Sequence, residues 1–291
     1  MIKKPLFGRK RRENCSVAII INAYYSAPQY ITQSLRLKEE FEKLGATADI
    51  VRNDGFFGRI DNNDIKTYFG NYSACVFLDK DKYLSEMLEI SGITVFNSHK
   101  TIVDCDDKMT TYIRLAGSGV TMPKTLPGLL CYNPYEQIRE QTIAIIENQL
   151  GYPLVVKECY GSQGGGVYPV FDRGQLYSAM ERVKLKPHLF QQMITSSLAK
   201  DVRVIVIGGK AVGAMLREGS DGFHSNIGQG GRGSAYSLSA SFRDTAEKCA
   251  VTLGADYCGV DLLFGETASL SCAKSIQTRF SPNSSGARTS T

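Results

Sequence analysis

Short apolar runs alternate with amphipathic segments along the first hundred residues, which is the pattern of an open α/β sheet. The β-branched run at 16–23 predicts a buried parallel strand, and apolar positions at helical spacing follow it at 30–44. The same order of strand, helix and strand continues at 49–51, 74–78, 83–91 and 94–96. We therefore predict an α/β domain over residues 16–100.

After residue 100 the pattern changes to helices that alternate with strands and glycine turns. The segments 201–207 and 211–217 predict a hairpin, because two glycines separate them. The other predicted strands lie at 154–158, 189–192 and 257–264, and the predicted helices at 109–116, 134–150, 174–183 and 241–253. The fold class is therefore mixed α/β (α+β), and a length of 291 residues favours two domains.

Composition and charge narrow the class of protein. The chain is 43% hydrophobic and has no apolar run of about 18 residues, so we expect neither disorder nor a membrane span. Six cations lie in the first twelve residues, and removing them from the net charge of +5 leaves −1. We interpret residues 1–15 as a basic, disordered tail. Binding of this tail to phosphate polyanions stays open, but nucleic acid is not an expected partner of the nearly neutral body.

Targeting and cysteine signals indicate a cytoplasmic protein. No apolar segment follows the basic residues at the N-terminus, so they do not form a secretory signal. The eight cysteines include no Cys-x-x-Cys pair, and the three histidines lack metal-ligand spacing. We expect the thiols to be small apolar core residues in a reducing compartment. A homo-oligomer is compatible with the sequence.

A glycine-dense loop at 161–166 follows Lys157, which stands near the end of a predicted buried strand. Glycines let consecutive backbone N–H groups approach phosphate oxygens, and a lysine adds a cation beside them. The alternative is a flexible hairpin turn, and the loop alone does not distinguish the two. Gly209-Lys210 and the glycine-rich stretch 228–233 lack the strand and helix context of Walker and dinucleotide-binding loops.

Six short segments follow one another in a fixed order between residues 107 and 264. They are Asp107-Lys108 with the Gly-x-x-x-Pro-x-Thr rhythm of 119–125, PLVVKECYGSQGGGV, LFQQMI, DVRVIVIGGKAVGAMLR, FHSNIGQGG and CGVDLLF. Together they resemble the ATP-grasp superfamily, and most closely its RimK-like carboxylate–amine ligases. The resemblance covers roughly 16–264 and implies a pre-ATP-grasp α/β domain at 16–100, then a two-lobed ATP-grasp domain at 101–266 with a nucleotide cleft between its lobes.

The resemblance implies roles for individual residues at the nucleotide. Lys157 and Lys108 would reach its phosphates. The covering loop would be Gly161, Ser162, Gln163, Gly164, Gly165 and Gly166. The linker that holds adenine would be Gln192, Met193 and Ile194, and further nucleotide contacts would come from Asp201, His224, Ser225 and Asn226. His224 stands where the family has arginine, which weakens that contact.

The resemblance also implies the reacting end of the site and its chemistry. Arg203 and Arg217 match basic positions around an acyl phosphate, with Arg217 at the reacting end, and Asp261 matches the first magnesium ligand. ATP would phosphorylate a small-molecule or peptide carboxylate, and an amine would then attack the acyl phosphate to form an amide, with Mg²⁺ or Mn²⁺ as the metal. The alternatives are another ATP-grasp phosphoryl transfer and nucleotide binding without turnover.

Several of these residues have structural alternatives. Lys108 could be a surface lysine at a helix N-terminus, Asp201 could start a hairpin, and Arg217 could pair with Glu218 or Asp221. Four aromatic residues lie on loops of the first domain, where we favour core packing over an acceptor pocket; they are Tyr24, Tyr25, Phe56 and Phe57.

The C-terminal tail departs from the family pattern. The Glu-x-Asn metal motif expected after Asp261 is missing, and Ala273-Lys274-Ser275 stands there. From Thr267 the chain is rich in Ser, Thr, Ala, Arg and Asn with little apolar period. Codons permitted for 273–279, regrouped from the third base of the alanine codon, spell Glu-Val-Asn-Pro-Asn-Ala. We predict that 267–291 is a frame-shifted reading, and that the chain binds nucleotide but ligates poorly or not at all.

Overall fold

A computed structural model describes residues 15–24, 28–161, 165–220, 225, 231–265 and 270–277. The chain divides into two compact units, Met1–His99 and Lys100–Thr291. The first unit carries a parallel sheet and a small hairpin, and the second carries two antiparallel sheets. The predicted tail, apart from Cys15, lies outside the described residues.

The first unit has a buried strand in the interior of its parallel sheet. Its strands are β1 (Ser16–Asn22), β2 (Thr47–Asn53), β3 (Gly58–Asp61), β4 (Asp64–Thr67), β5 (Ala74–Phe77) and β6 (Thr94–Phe96), and its helices are α1 (Pro28–Lys43) and α2 (Lys82–Ile90). The parallel sheet has the order β2-β1-β5-β6, and β3 pairs with β4. The five inner residues of β1 are buried, because a central strand of a parallel sheet is covered on both faces.

The second unit contains the remaining elements. Its helices are α3 (His99–Asp106), which spans the boundary, α4 (Lys108–Leu115), α5 (Glu140–Leu150), α6 (Arg173–Val183) and α7 (Ala240–Leu253). Its strands are β7 (Thr125–Pro127), β8 (Leu154–Glu158), β9 (Val167–Val170), β10 (His188–Gln192), β11 (Lys200–Ile207), β12 (Lys210–Glu218), β13 (Arg232–Ala235), β14 (Tyr257–Phe264) and β15 (Leu270–Gln277).

These elements form two lobes, each with its own core. The first lobe is the sheet β7-β10-β8-β9, on which α5 and α6 pack through residues such as Ile143 and Leu176. The second lobe is the sheet β13-β12-β11-β14-β15, against which α7 packs through residues such as Ala246 and Cys249. The two-lobed arrangement expected from the sequence is therefore present.

Helix α4 connects the two lobes. Its first turn is capped by Asp107, whose side chain accepts a hydrogen bond from the backbone N–H of Thr110 at 3.0 Å. Leu115 lies in the core of the second lobe, whereas Tyr112 packs with Cys159 and Leu189 of the first lobe. The helix that opens the predicted ATP-grasp domain thus contributes to both cores.

The structure confirms the long periodic elements and corrects several local expectations. The helix predicted at 134–150 begins only at Glu140, because the Asn133 side chain accepts from the N–H of Tyr135 at 3.0 Å and closes a turn there. Cys15 is buried against Val17 and is not part of a tail. The hairpin β3–β4, helix α3 and strands β7, β13 and β15 were not predicted.

The expected core role of the loop aromatics is only partly correct. Phe57 packs edge-on against Phe69 with ring centroids 5.3 Å apart. Tyr24 and Phe56, by contrast, are 92% and 90% exposed, and Tyr25 lies outside the described residues.

The thiols behave as small core residues where the structure describes them. Seven cysteines whose side chains the structure describes are free, and six of them are buried. Over the same residues, no helix combines the length and apolar character needed to cross a bilayer.

Gly128 permits the close contact between the loop after β7 and strand β10. Its N–H donates to the carbonyl of His188 at 2.8 Å, and a Cβ at this position would lie 2.3 Å from Cδ2 of the buried His188 ring. We expect Gly128→Ala to lower the free energy of unfolding by about 1–3 kcal/mol, as for an overpacked core. Denaturant unfolding measures this difference.

A matched control is Gly213→Ala on β12, where an added Cβ meets nothing within 4 Å. This variant should stay within about 0.5 kcal/mol of the parent. Equal stability of the two variants would contradict the proposed steric role of Gly128.

Candidate functional site

Four charged residues on three neighbouring strands of the second lobe form one buried network, which we call the arginine–aspartate cluster. Its members are Asp201 and Arg203 on β11, Arg217 on β12 and Asp261 on β14, and all four are buried. Asp201 lies directly opposite Arg217, and Arg203 directly opposite Asp261. Because side chains alternate along a strand, Asp201 and Arg203 share one face of the sheet.

Both arginine–aspartate pairs are bidentate. Arg217 Nε and Nη2 donate to the Asp201 carboxylate at 2.7 and 2.6 Å, and Arg203 Nε and Nη2 donate to Asp261 at 2.7 and 2.8 Å. Arg217 Nη2 also lies 2.9 Å from Asp261 Oδ2, so the two pairs are joined. Such fork-shaped pairs are short and geometrically specific.

The electrostatics of the cluster keep Arg217 charged. Burial by itself lowers the pKa of its guanidinium, but the carboxylates of Asp261 and Asp201 outweigh burial and raise that pKa above the ordinary value. A guanidinium in this setting cannot act as a proton donor in catalysis. Its available function is to attract and orient negative charge.

Ser225 adds a hydroxyl to the same network. Its Oγ donates to Asp201 Oδ2 at 2.6 Å. The predicted nucleotide contacts Ser225 and Asp201 are therefore brought together, while His224 and Asn226 lie outside the described residues. The structural alternatives for Arg217 are wrong, since its partners are Asp201 and Asp261.

On the first lobe, Lys157 is positioned by a residue that the sequence analysis missed. Lys157 Nζ donates to Gln191 Oε1 at 2.6 Å, and Gln191 Nε2 donates to Thr125 Oγ1 at 2.8 Å. The hydroxyl of Tyr112 lies 3.4 Å from the same Gln191 oxygen. A buried glutamine beside apolar residues of a strand gives no sequence signal of its own, and Gln191 is found only through its contact with Lys157 on the neighbouring strand.

Lys108 is buried and is not a surface lysine, so that alternative is wrong. Its Nζ donates to the backbone carbonyls of Glu158, Cys159 and Gly161 at 2.9, 3.2 and 3.2 Å. The ammonium group thus binds the chain at the point where β8 enters the glycine loop. This contact fixes the start of the loop from the first turn of α4.

The described ends of the glycine loop show why glycine is required there. Gly166 has φ +70°, and a Cβ on it would lie 2.9 Å from the side chain of Glu158. Gly161 also has a positive φ, of 121°, and Gly165 is exposed. Ser162, Gln163 and Gly164 lie outside the described residues. The loop therefore combines positive φ angles with exposed backbone, as a phosphate-contacting loop would.

The expected adenine linker follows β10. Gln192 N–H donates to the carbonyl of Lys124 at 2.9 Å, and Met193 N–H lies 3.4 Å from the carbonyl of Pro153. Met193 is buried, whereas Gln192 is exposed and Ile194 is partly buried. The thioether of Met193 would have to pack on a purine from within the core.

The residues that should hold a magnesium ion do not fit that role as the structure places them. Both oxygens of Asp261 accept hydrogen bonds from guanidinium groups. Strand β15, which pairs with β14, places Lys274 opposite Asp261 and contains no Asp, Glu, Asn or His. Nowhere among the described residues do three His, Cys, Asp or Glu side chains form a group that could hold a metal.

Comparison with known proteins identifies the domain that carries these residues. The sequence model of the RimK-like ATP-grasp domain matches residues 105–278. All the nucleotide, arginine and metal positions proposed from the sequence fall inside this range.

Two curated relatives have glutamate in their names. N-acetylaspartylglutamate synthase A of Homo sapiens is 35% identical over 194 residues, which cover 66% of this chain and 48% of the synthase. A probable alpha-L-glutamate ligase of Psychromonas ingrahamii is 31% identical over 211 residues, 72% of this chain and 66% of the ligase. The chain thus spans about half the length of the synthase and two thirds of the ligase.

A solved structure shares the fold over nearly the whole chain. The RimK domain ATP-grasp protein from Sphaerobacter thermophilus superposes with a TM-score of 0.69 at 19% identity and covers 94% of both chains. At this level of identity the likeness establishes the fold. It confirms the mixed α/β ATP-grasp architecture predicted from the sequence.

The arginine–aspartate cluster should contribute strongly to stability. Asp201→Asn removes one carboxylate from Arg217 and leaves its guanidinium with Asp261 alone. We expect the free energy of unfolding to fall by about 3 kcal/mol, at the low end for a broken buried ion pair. Chemical denaturation of purified chain measures the change.

Glu218→Gln provides the control at the exposed end of β12, where Glu218 lies 3.8 Å from Lys200. This change should cost less than about 1 kcal/mol. If Asp201→Asn were as mild as the control, the cluster would not be a stabilising network.

Proposed function

The chain belongs to the RimK-like ATP-grasp family, and we propose that it binds ATP through the first lobe and presents the ATP to a carboxylate–amine ligation site on the second. The observation that carries this proposal is the division of charge between the lobes. Lys157, Lys108 and the glycine loop belong to the first lobe and its junction with α4, and the arginine–aspartate cluster belongs to the second.

The first-lobe residues suit the nucleotide phosphates. Lys157 is held at its Nζ by Gln191, so its ammonium is oriented before a ligand arrives. Backbone N–H groups of the glycine loop would add further donors. Lys108 would support the phosphate contact by fixing the start of the loop, and it would reach a phosphate only by giving up one of its carbonyl partners.

The reaction that we propose forms an amide in two steps. A carboxylate oxygen of the first substrate attacks the γ-phosphorus of ATP, the bond to the β,γ-bridging oxygen breaks, and ADP leaves. An amine then attacks the acyl carbon, inorganic phosphate leaves with the C–O bond electrons, and the amine nitrogen loses a proton. Arg203 and Arg217 would stabilise the negative charge on the transferred phosphoryl group.

No enzyme nucleophile is needed for this chemistry. The thiol closest in sequence to Lys157 belongs to Cys159, and burial raises the pKa of that thiol to about 11. It stays protonated near neutral pH and is a poor nucleophile. Positioning and charge therefore remain as the contributions of the described side chains.

The names of the relatives suggest the substrate class. Both contain glutamate, so we propose L-glutamate as the amine and a small-molecule or peptide carboxylate as its partner. We also propose a cytoplasmic location, which the free cysteines of the described chain support.

Replacing Lys157 by methionine tests the nucleotide site. The change keeps the apolar stem and removes the charge, so we expect ATP affinity to fall by about 10- to 150-fold, equivalent to about 1.5–3 kcal/mol for a hydrogen bond to a charged group. Isothermal titration calorimetry provides the affinity. Lys210→Met, at an exposed site paired with Glu247, is the control and should leave the affinity unchanged. Unchanged affinity in Lys157→Met would refute the assignment.

Product analysis tests the reaction class. Ligation predicts that ADP release requires a carboxylate and an amine together, and that mass spectrometry finds an amide whose mass is the sum of both substrates less one water. ADP release with only one substrate would instead support another phosphoryl transfer of the ATP-grasp type.

A second function is favoured by one specific observation. The carboxylate of Asp261 is ion-paired with Arg203 and Arg217, and the residue opposite Asp261 on β15 is Lys274. This favours a chain that binds nucleotide and turns it over slowly or not at all. Binding of ADP and ATP without detectable amide, over a broad set of amino acids and peptides, is the result expected for that function.

A further inference from the structure

The carboxylate that should bind the first metal ion is already neutralised inside the protein. Asp261 is fully buried and accepts three hydrogen bonds or ion-pair contacts from Arg203 and Arg217 within 2.9 Å. A divalent cation at these oxygens would have to share them with two guanidinium groups. Their positive charge would oppose its binding.

The sequence of the neighbouring strand lacks the ligands that a metal site needs. In the pairing of β14 with β15, Asp261 is opposite Lys274. Mg²⁺ prefers carboxylate and other oxygen ligands in near-octahedral geometry, and the sequence of β15, LSCAKSIQ, supplies no carboxylate. A lysine at this register position is the reverse of what a metal site requires.

The same arginines can accept a phosphate without losing their carboxylates. The pairs described above use Nε and Nη2 of each guanidinium. A guanidinium has five N–H donors, and the Nη1 groups point away from the bidentate contact. Each guanidinium therefore keeps Nη1 donors outside these contacts for an anion that reaches the cluster, whereas a cation would meet two positive charges there.

We propose that this chain binds adenine nucleotides without a divalent metal ion. The proposal rests on the proposed nucleotide site, and it assigns the neutralisation of the phosphates to Lys157, Arg203 and Arg217. The predicted frameshift would account for the lysine opposite Asp261. In the neighbouring reading frame, the glutamate codon of Glu-Val-Asn overlaps the codon of Lys274, and the asparagine codon overlaps that of Ile276. A frameshift would therefore have replaced a carboxylate at the position paired with Asp261.

The first experiment uses the full chain and two probes, ADP and ATP, titrated by calorimetry in excess EDTA and again in millimolar Mg²⁺. We expect the Kd in EDTA to agree with the Kd in Mg²⁺ within about threefold, or to be lower because free ATP carries more negative charge. A Kd at least about tenfold lower in Mg²⁺ would overturn the proposal and leave the nucleotide site intact. Absence of binding in both buffers would overturn the nucleotide site itself.

The second experiment restores the ligands. In the double variant Lys274→Glu with Ile276→Asn, Mg²⁺ should lower the Kd for ADP by about tenfold or more. Lys274→Ala removes the cation without adding a ligand and should remain indifferent to Mg²⁺. Two results would contradict the proposal that missing ligands on β15 prevent metal binding. One is a lower Kd for ADP in Mg²⁺ for Lys274→Ala. The other is an unchanged Kd for a double variant whose melting temperature equals that of the parent. The comparison of buffers on the parent chain stands even where a variant fails to fold.

The gene sequence tests the origin of the defect. The shifted frame requires the codons GCG-AAG-TCA at 273–275, because other choices at these positions do not encode Glu-Val-Asn in the neighbouring frame. Codons outside this set would refute the frameshift, and the metal response in the two buffers would still decide the binding proposal.

Discussion

The pairing of two arginines with two aspartates across β12, β11 and β14 is the constraint on which the second lobe depends. Strand β11 places Val202, Val204 and Val206 in the core against α7, while Asp201 and Arg203 occupy the alternate positions. A slip of one residue would exchange these faces and bury charges among the apolar side chains of α7. The strand register that buries the valines of β11 therefore also fixes the position of the arginine–aspartate cluster.

Helix α4 joins the first lobe to this sheet. Leu115 packs into the core of the second lobe, and Lys108, two turns earlier, donates to carbonyls at the start of the glycine loop. Lys108 thus links the start of the glycine loop to the helix that contacts both cores.

Sequence periodicity predicted the elements whose burial is regular and missed those defined by a few contacts. Strand β1 and helix α7 have long apolar patterns, whereas β3, β4 and β7 have three or four residues and no measurable period. The same limit applied to the residues of the candidate functional site. Arg203, Arg217 and Asp261 could be located from motifs, but their mutual pairing required the strand register, and Gln191 became visible only through its contact with Lys157.

The charge balance of the cluster explains how nucleotide binding and ligation can separate in one chain. A site built from carboxylates alone would repel itself without a metal, whereas two guanidinium groups here balance Asp201 and Asp261 within the sheet. The fold of the second lobe therefore does not require a bound cation. Phosphoryl transfer normally uses metal ligands, which the sequence of β15 does not supply, whereas the nucleotide contacts that we propose for Lys157 and the glycine loop need none.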